Sequence, residues 1–541
     1  MKRCPECRRD YYDDSLLYCL DDGSALLEGP ATAEHRTLSI PQNVDYVFSS
    51  LSSPRDFPTQ VLDPHPTLAQ TPSNSIAVLP FVNIGGDQDV EYFSDGLAEE
   101  LLNVLSKIRD LRVAARTSSF SFKGKPSTVS EIGQALHVGT VVEGSIRMSG
   151  GRMRIAVQLV KVEDGYQLWS STYDRRMDDI FAVQDDIAQS VVEGLRTRLF
   201  GDEPSVELET QVVNDVAVAT KFRSADPEAQ RLMLLGRYFL DRTTREATER
   251  AIENFKNAVA LDPDFALCWA ELGRAYSVQA GKSWVSIDEG FKLSREATER
   301  ALALEPELAE GHAQLGRIRA VYEWDLRGAL ASYARALEFG NGSTTVMDGA
   351  SVLEFKLGRF DRALDLSRRV LMQDPLSAAV WHNLGLMCHS AGLLAESETA
   401  FRRALELSPQ RLVSNAMLAM VLADEGRGAE AVEVAESEPD SFWRLWSLAI
   451  LRSMNGELEQ SDRALEAVLG QHTEGDSYQI AEIYAVRGET DKAFEWLDRA
   501  VEYRDTGVTH ARVCPRFRPL HADPRWPVLL KTIGFDDTDG S

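Results

Sequence analysis

The sequence predicts a multidomain chain: a small cysteine knuckle, an α+β domain built on a mixed sheet, and an all-α superhelical solenoid. Three observations carry this. Cysteines at C-x-x-C spacing open the chain, apolar runs of strand and helix length alternate from residue 75 to about 200, and a 34-residue period runs through the carboxyl-terminal half. Boundaries follow at 1–28 for the knuckle, 29–74 for a linker, 75–200 for the α+β domain, 201–226 for a second linker, 227–508 for the solenoid and 509–541 for a cap and tail.

The opening stretch CPECRRDYYDDSLLYCLDDG places Cys4 and Cys7 in one half-site, Cys19 after eleven intervening residues, and Asp22 where a fourth cysteine would stand. Zinc takes four tetrahedral ligands, and a carboxylate oxygen can replace a thiolate. The spacing of Cys19 and Asp22 mirrors that of Cys4 and Cys7, and Gly23 permits the tight turn a half-site requires. A C-x2-C-x11-C-x2-D zinc site is therefore coherent, with Asp21 or His35 as substitutes for the fourth ligand; a metal-free remnant and a redox thiol cluster are the alternatives. So short a segment buries too little apolar surface to fold unaided, so the metal would be its main stabiliser.

Seven prolines between residues 29 and 74, among Ser and Thr, mark a flexible linker. SIAVLPF (75–81) then reads as a buried strand. FSDGLAEELLNVLSKI reads as a helix with Ser94 and Asp95 as caps and Leu97, Leu101, Leu105 and Ile108 on one face. LRVAAR is a second strand and EIGQALHV a short helix. Residues 140–175 alternate as strands do, with hairpin turns at Gly150-Gly151 and Asp164-Gly165. Val142, Ile146, Met153, Ile155, Val157 and Leu159 form the apolar set, Arg147, Arg152 and Arg154 gather at the hairpin tip, and a closing helix follows.

From Pro227 the pattern is helical and repetitive. Pro375 and Pro409 are 34 residues apart, Asn341 lies 34 before Pro375, and Pro306 lies 35 before Asn341. Pro263 lies 43 before Pro306, one period plus an insertion around GKSWVSIDE. The cleanest copy carries Trp381, Leu384, Gly385, Cys388, Ser397, Phe401, Ala404 and Pro409; another carries Trp269, Leu272, Gly273, Tyr276, Ser294, Ala301 and Pro306. This is the tetratricopeptide (TPR) signature, of which seven or eight helix pairs are expected. Small residues at Gly385 and Ser397 let the paired helices approach, while Trp381, Leu384 and Phe401 fill the space between pairs.

The segment from 75 to about 199 resembles a bacterial TolB-like N-terminal domain, on SIAVLPFVNIGGDQDVEYFSDGLAEEL, LRVAARTSSFSFKGK, VVEGSIRMSGGRMRIAVQL and LWSSTYDRRMDDIFAVQDDIA. In that family TPR repeats typically follow, and a DNA-binding module with a membrane helix, a class III adenylate cyclase or a kinase precedes. Residues 1–74 match none of these; they are similar to a zinc-ribbon knuckle. The resemblance implies a non-catalytic sensing or scaffolding protein and names no ligand.

In the TPR family the first helix of each repeat faces a concave groove. One such position falls on Arg237, Arg274 and Arg317, each after a glycine, and His382, Leu386 and His389 share that face in the fifth repeat. Guanidinium forks bind carboxylates and phosphates bidentately, so these residues are candidates for gripping a partner polypeptide. Pairing with glutamates of neighbouring helices is the competing use in a chain with 84 acidic residues.

A formal charge of −26 repels phosphate backbones, which argues against nucleic acid as a partner. No apolar run approaches the ~20 residues that span a bilayer. Six scattered cysteines suit a reducing cytoplasm. AGKSW (280–284) lacks the first glycine and the preceding strand of a phosphate loop, and Gly85-Gly86 lacks a third glycine in register. No nucleophile elbow, zinc-protease or protein-kinase motif occurs. The expected function is a cytoplasmic, non-enzymatic interaction scaffold or signalling adaptor that binds a protein in its TPR groove. The alternative is a regulator whose α/β domain senses a small ligand or nucleotide. Oligomeric state is not legible.

Overall fold

The computed structural model describes residues 2–3, 10–11, 27–28, 74–85, 88–106, 108, 111–149, 152–176, 186–187, 190–191, 224, 226–242, 244–282, 284–340, 342–472 and 474–535. The chain divides into two compact units, Met1–Asn43 and Val44–Ser541. In the first, three two-residue strands, β1 (Lys2–Arg3), β2 (Asp10–Tyr11) and β3 (Leu27–Glu28), form an antiparallel sheet with β1 in the middle. Cys4, Cys7, Cys19 and Asp22 lie outside the described residues.

The second unit begins with a mixed sheet. Its elements are β4 (Ser75–Val78), β5 (Val82–Asn83), α1 (Gln88–Ser106), β6 (Arg112–Val113), α2 (Arg116–Phe120), α3 (Val129–Leu136), β7 (Thr140–Ser149), β8 (Arg152–Lys161) and β9 (Gln167–Arg176). The order is β6-β4-β7-β8-β9, with β5 also on β7. The pairs among β4, β6 and β7 are parallel, and the two β7–β8–β9 hairpins are antiparallel. Alternation along β4 serves two cores. Ile76 and Val78 meet Leu97, Leu101 and Leu105 on one face, while Ala77 and Leu79 meet Ile132 and Leu136 on the other. All six apolar hairpin residues named above are buried. Gly165 takes the positive φ of its turn, and Arg154 pairs with Asp174 at 2.8 Å.

One local expectation is corrected. Ser94 and Asp95 do not cap a helix, because α1 already starts at Gln88. Both are buried inside it, and Asp95 accepts from the Lys123 ammonium at 2.6 Å. The cap that does form belongs to α3, where Thr128 and Glu131 bond reciprocally as a capping box.

From Pro227 eight helix pairs follow: α4 (Pro227–Leu240) with α5 (Arg245–Leu261), α6 (Ala266–Gly281) with α7 (Ile287–Leu304), α8 (Ala309–Ile318) with α9 (Leu326–Phe339), and α10 (Thr344–Lys356) with α11 (Phe360–Gln373). They continue with α12 (Ala378–Ser390) and α13 (Leu394–Leu407), α14 (Ser414–Asp424) and α15 (Gly428–Glu436), α16 (Ser441–Met454) and α17 (Leu458–Leu469), then α18 (Ser477–Val486) and α19 (Thr490–Glu502). The first helices of successive pairs touch one another and so line the inner side. A Cβ on Gly385 would meet the Phe401 ring at 2.9 Å, so glycine is what permits α12 and α13 to close. Ser397 Oγ donates to the Gly385 carbonyl at 2.7 Å, and Ser294 does the same for Gly273 at 2.8 Å. The repeat tryptophan ties its helix to the preceding turn: Trp269 Nε1 donates to the Pro263 carbonyl at 3.0 Å and Trp381 Nε1 to that of Pro375 at 2.9 Å. In the third repeat His312 Nε2 meets the Pro306 carbonyl at 2.8 Å instead.

The third repeat is one residue longer than the 34-residue period, and the surplus has a location. A π-helical turn, Arg319–Glu323, extends α8 and ends on Trp324 in the left-handed region, where the fifth repeat has Gly392. Single-residue insertions into helices are commonly absorbed in this way. The turn presents Tyr322 and Trp324 to the segment beyond the last pair. Arg504 lies 5.0 Å from the Tyr322 ring centre and 4.9 Å from that of Trp324, and donates to the Tyr322 carbonyl at 2.6 Å. At Gly534 a Cβ would stand 1.9 Å from the Trp324 carbonyl oxygen, so only glycine passes. Two 3-10 stretches, Thr506–Val513 and Pro515–Leu520, and α20 (Arg525–Thr532) lie between these anchors. One continuous apolar core therefore runs from Ala320 to Phe535.

Deleting Val321 should restore the 34-residue repeat yet turn Trp324 away from Arg504. The expected outcome is a folded solenoid whose segment after residue 503 becomes cleavable in limited proteolysis; protection equal to wild type would refute the anchoring role.

Candidate functional site: the inner face of the solenoid

The chain itself covers parts of the inner face. At its amino-terminal end lies the mixed-sheet domain. Leu234 of α4 packs on Gly96 of α1, with 3.1 Å between Leu234 Cδ1 and the position a Cβ would take. Arg237, only 8% exposed, donates through Nε to Glu271 Oε1 at 2.9 Å and reaches Glu99 and Glu100 at 3.6 and 3.9 Å. Arg116 bridges the two domains, holding Glu99 at 2.9 Å and Asp241 at 2.7 Å. A second footing lies on the turn between α11 and α12. Ala115 N–H donates to the Gln373 carbonyl at 2.7 Å, Ser118 Oγ donates to Asp374 Oδ1 at 2.5 Å, and Leu376 N–H donates to Ser118 Oγ at 2.9 Å. Leu376 packs into the core beneath α3.

At its middle the inner face meets the carboxyl-terminal segment. Lys356 of α10, 4% exposed, donates to the Thr509 hydroxyl at 2.8 Å. Burial, and secondarily the charge of Arg317, pushes the Lys356 amine down to about 7. Glu482 of α18 accepts from Arg516 at 3.0 Å and from the Cys514 thiol at 3.0 Å.

The six groove candidates thus fall into different settings. Arg237 and Arg274 share one carboxylate, Glu271, whose second oxygen accepts from Arg274 Nε at 2.8 Å. Burial alone would raise the Glu271 pKa, but the two guanidiniums outweigh it and hold the carboxyl at about 2. Arg317 is exposed and forms no ion pair among the described residues. His382 is buried, with Nδ1 at 2.8 Å from Ser414 Oγ and its ring edge-on to Phe401. His389 is buried, with Nε2 at 2.7 Å from Asp424 Oδ2. Leu386 packs against the continuous core. The structure does not bring the two histidines together as ligands, and no cluster of three or more potential metal ligands occurs among the described residues. The sequence missed Glu99, Glu100, Asp241, Ser118 and Asp374, since their roles need a partner far along the chain. Lys282, read above as the end of a false phosphate loop, caps α6. No described helix is long and apolar enough to cross a membrane.

Residues 350–411 match the family model described as "Tetratricopeptide repeat". Over 228 residues the chain is 35% identical to a protein of Rhizobium meliloti (strain 1021) named "Putative adenylate cyclase 3"; the match covers 42% of this chain and 36% of that relative's length. Among solved structures it is similar to Pseudomonas aeruginosa pilF, at 18% identity and a TM-score of 0.31, covering 38% of this chain and 90% of that one. It is also similar to the human IFIT1 dimer, at 15% identity and a TM-score of 0.40, covering 60% and 87%. The repeats are TPR repeats, and together they form a helical solenoid.

Burial holds His382 and His510 neutral, with Arg411 and Lys356 respectively adding to it, and moves both pKa values from 6.5 to about 3. A folded-state value below the unfolded one means that their contribution is complete above pH 6.5 and is lost as the pH falls towards 3. The stability difference between wild type and His510→Gln should therefore shrink across that window in denaturant titrations. A constant difference would show that His510 does not carry the acid sensitivity.

Proposed function

We propose that this chain is a non-catalytic interaction scaffold or signalling adaptor that docks a partner polypeptide on the inner face of its TPR solenoid, with a TolB-like domain as regulatory head. One observation carries the reading: the inner face already holds a polypeptide helix, α1, through Arg237 and the acidic pair Glu99 and Glu100. A surface that grips an acidic helix in cis is chemically equipped to grip one in trans, and helix-in-groove docking is a common mode of peptide recognition. The TPR match supports the same class of function.

A second reading has its own support. The relative named as an adenylate cyclase suggests a regulator whose α/β domain senses a nucleotide or other small ligand. Arg116, Ser118 and Ala115 would transmit such binding to the solenoid, because they fasten the domain at two separate repeats.

Charge reversal at Arg237, Arg274 and Arg317 together should abolish capture of the proteins that wild type retains, with Arg317→Glu alone included because it leaves the domain contacts intact. Unchanged capture would remove the arginines from the mechanism, and melting-temperature gains of several degrees with ATP, GTP or cyclic AMP would favour the second reading.

Zinc at Cys4, Cys7, Cys19 and Asp22 belongs to the same proposal, as the stabiliser of a structural head. Atomic absorption should find one zinc per chain in wild type and none in Cys19→Ser; equal content would dismiss the site.

A further inference from the structure

The two faces of the mixed sheet are covered unequally. On one, α1 packs over Ile76, Val78, Val142, Ile155 and Val157. On the other, α3 covers the end that holds Ala77, Leu79 and Val141, and Gly133 lies so close that a Cβ there would stand 2.3 Å from the Val162 side chain. Past that end the second face opens to solvent. The register sets Val82, Ser145, Ala156 and Thr172 in one row across β5, β7, β8 and β9. Arg147, Arg154 and Asp174 form the next row, and Arg152, two residues from Arg154, lies on the same face.

A sheet face left to water is ordinarily polar. Here Val82 is 62% exposed, and Ile84, two residues on, is 57% exposed with its N–H donating to the Ile146 carbonyl at 2.9 Å. Ser145 and Ala156 in the middle of the row are small, so the strands form a shallow trough with an aliphatic edge. On one bank Glu143 is already engaged, accepting from Gln158 at 2.6 Å. On the other, Arg154 is matched by Asp174 at 2.8 Å, whereas Arg147 and Arg152 are exposed and pair with no carboxylate among the described residues. We propose that this trough docks an acidic amphipathic helix of another protein, its apolar stripe on Val82, Ile84 and Ala156 and its carboxylates on Arg147 and Arg152. Four strands at about 4.8 Å spacing span about 14 Å, and one helix of about 10–12 Å diameter covers that width. A two-fold pairing of two copies would instead bring two basic faces together. Extended phosphate surfaces, nucleic acid or anionic membrane, meet the whole formal charge of −26, while a short helix meets only charges within about 8–10 Å. None of these residues fastens the domain to the solenoid, so the surface is independent of what the inner face holds.

The test selects a displayed library of amphipathic helical peptides, their charged positions randomised between Glu and Lys, on the full chain. Selection should enrich Glu beside the apolar stripe. In fluorescence anisotropy an enriched peptide should bind wild type and lose at least tenfold in affinity for the double variant Arg147→Glu with Arg152→Glu, where like charges face each other. The melting temperature of that variant should equal that of wild type, since both side chains are exposed and unpaired. Val82→Ser, at another exposed position, should weaken binding as well. Equal affinity for the double variant, no enrichment of Glu over Lys, or tighter binding of phosphatidylglycerol vesicles or duplex DNA than of any peptide would each overturn the assignment.

Discussion

A stack of helix pairs leaves an inner face that is curved, partly apolar and open to water, and covering that face is the constraint on which this fold depends. The chain meets it from both ends. Arg504, set between Tyr322 and Trp324, brings the carboxyl-terminal segment across the interior to the third repeat. The aromatic pair contributes through cation–π attraction and through the apolar area that the arginine stem covers. Val508, Ala511, Val513 and Phe517 then enter the same core as Leu353, Met387 and Met420, so six repeats and the terminal segment share one interior. The first two repeats keep smaller cores of their own and are fastened to the mixed sheet instead.

Electrostatics divides the inner face into two regimes. Around Glu271 the charges are buried and mutually satisfied, with Arg237, Arg274, Glu99, Arg116 and Asp241 forming a chain of contacts from the solenoid into α1 and α2. Such a network adds little net stability once desolvation is counted, but removing one member leaves the others uncompensated, so it fixes how the two domains sit together. Around Lys356 the setting differs: the buried amine donates to a neutral hydroxyl, that of Thr509, and burial lowers its pKa.

What could be read in the sequence follows the range of the contacts. The 34-residue period was legible because Gly385, Ser397 and Phe401 meet within one helix pair, and Trp381 reaches only to Pro375. The hairpin was legible because alternation at Ile146, Met153 and Ile155 maps directly onto a buried face. The start of α1 was not, since Ser94 and Asp95 look like caps and only the fold shows the lysine that Asp95 serves. Glu99 was invisible as a partner of Arg237 for a related reason: nothing local distinguishes a solvated glutamate from one that meets a distant arginine. Cys4, Cys7, Cys19 and Asp22 lie outside the described residues, so their spacing is the argument for the proposed zinc site.

The extra residue in the third repeat has a consequence for how such a chain can change over generations. Repeat arrays ordinarily lengthen or shorten by whole units, because each unit contacts only its neighbours. Here the eighth pair ends in an arginine that must land on one particular bulge five pairs earlier. Duplicating or losing a unit between them would carry that side chain past its socket, so the latch sets a fixed tally on a modular architecture that otherwise has none.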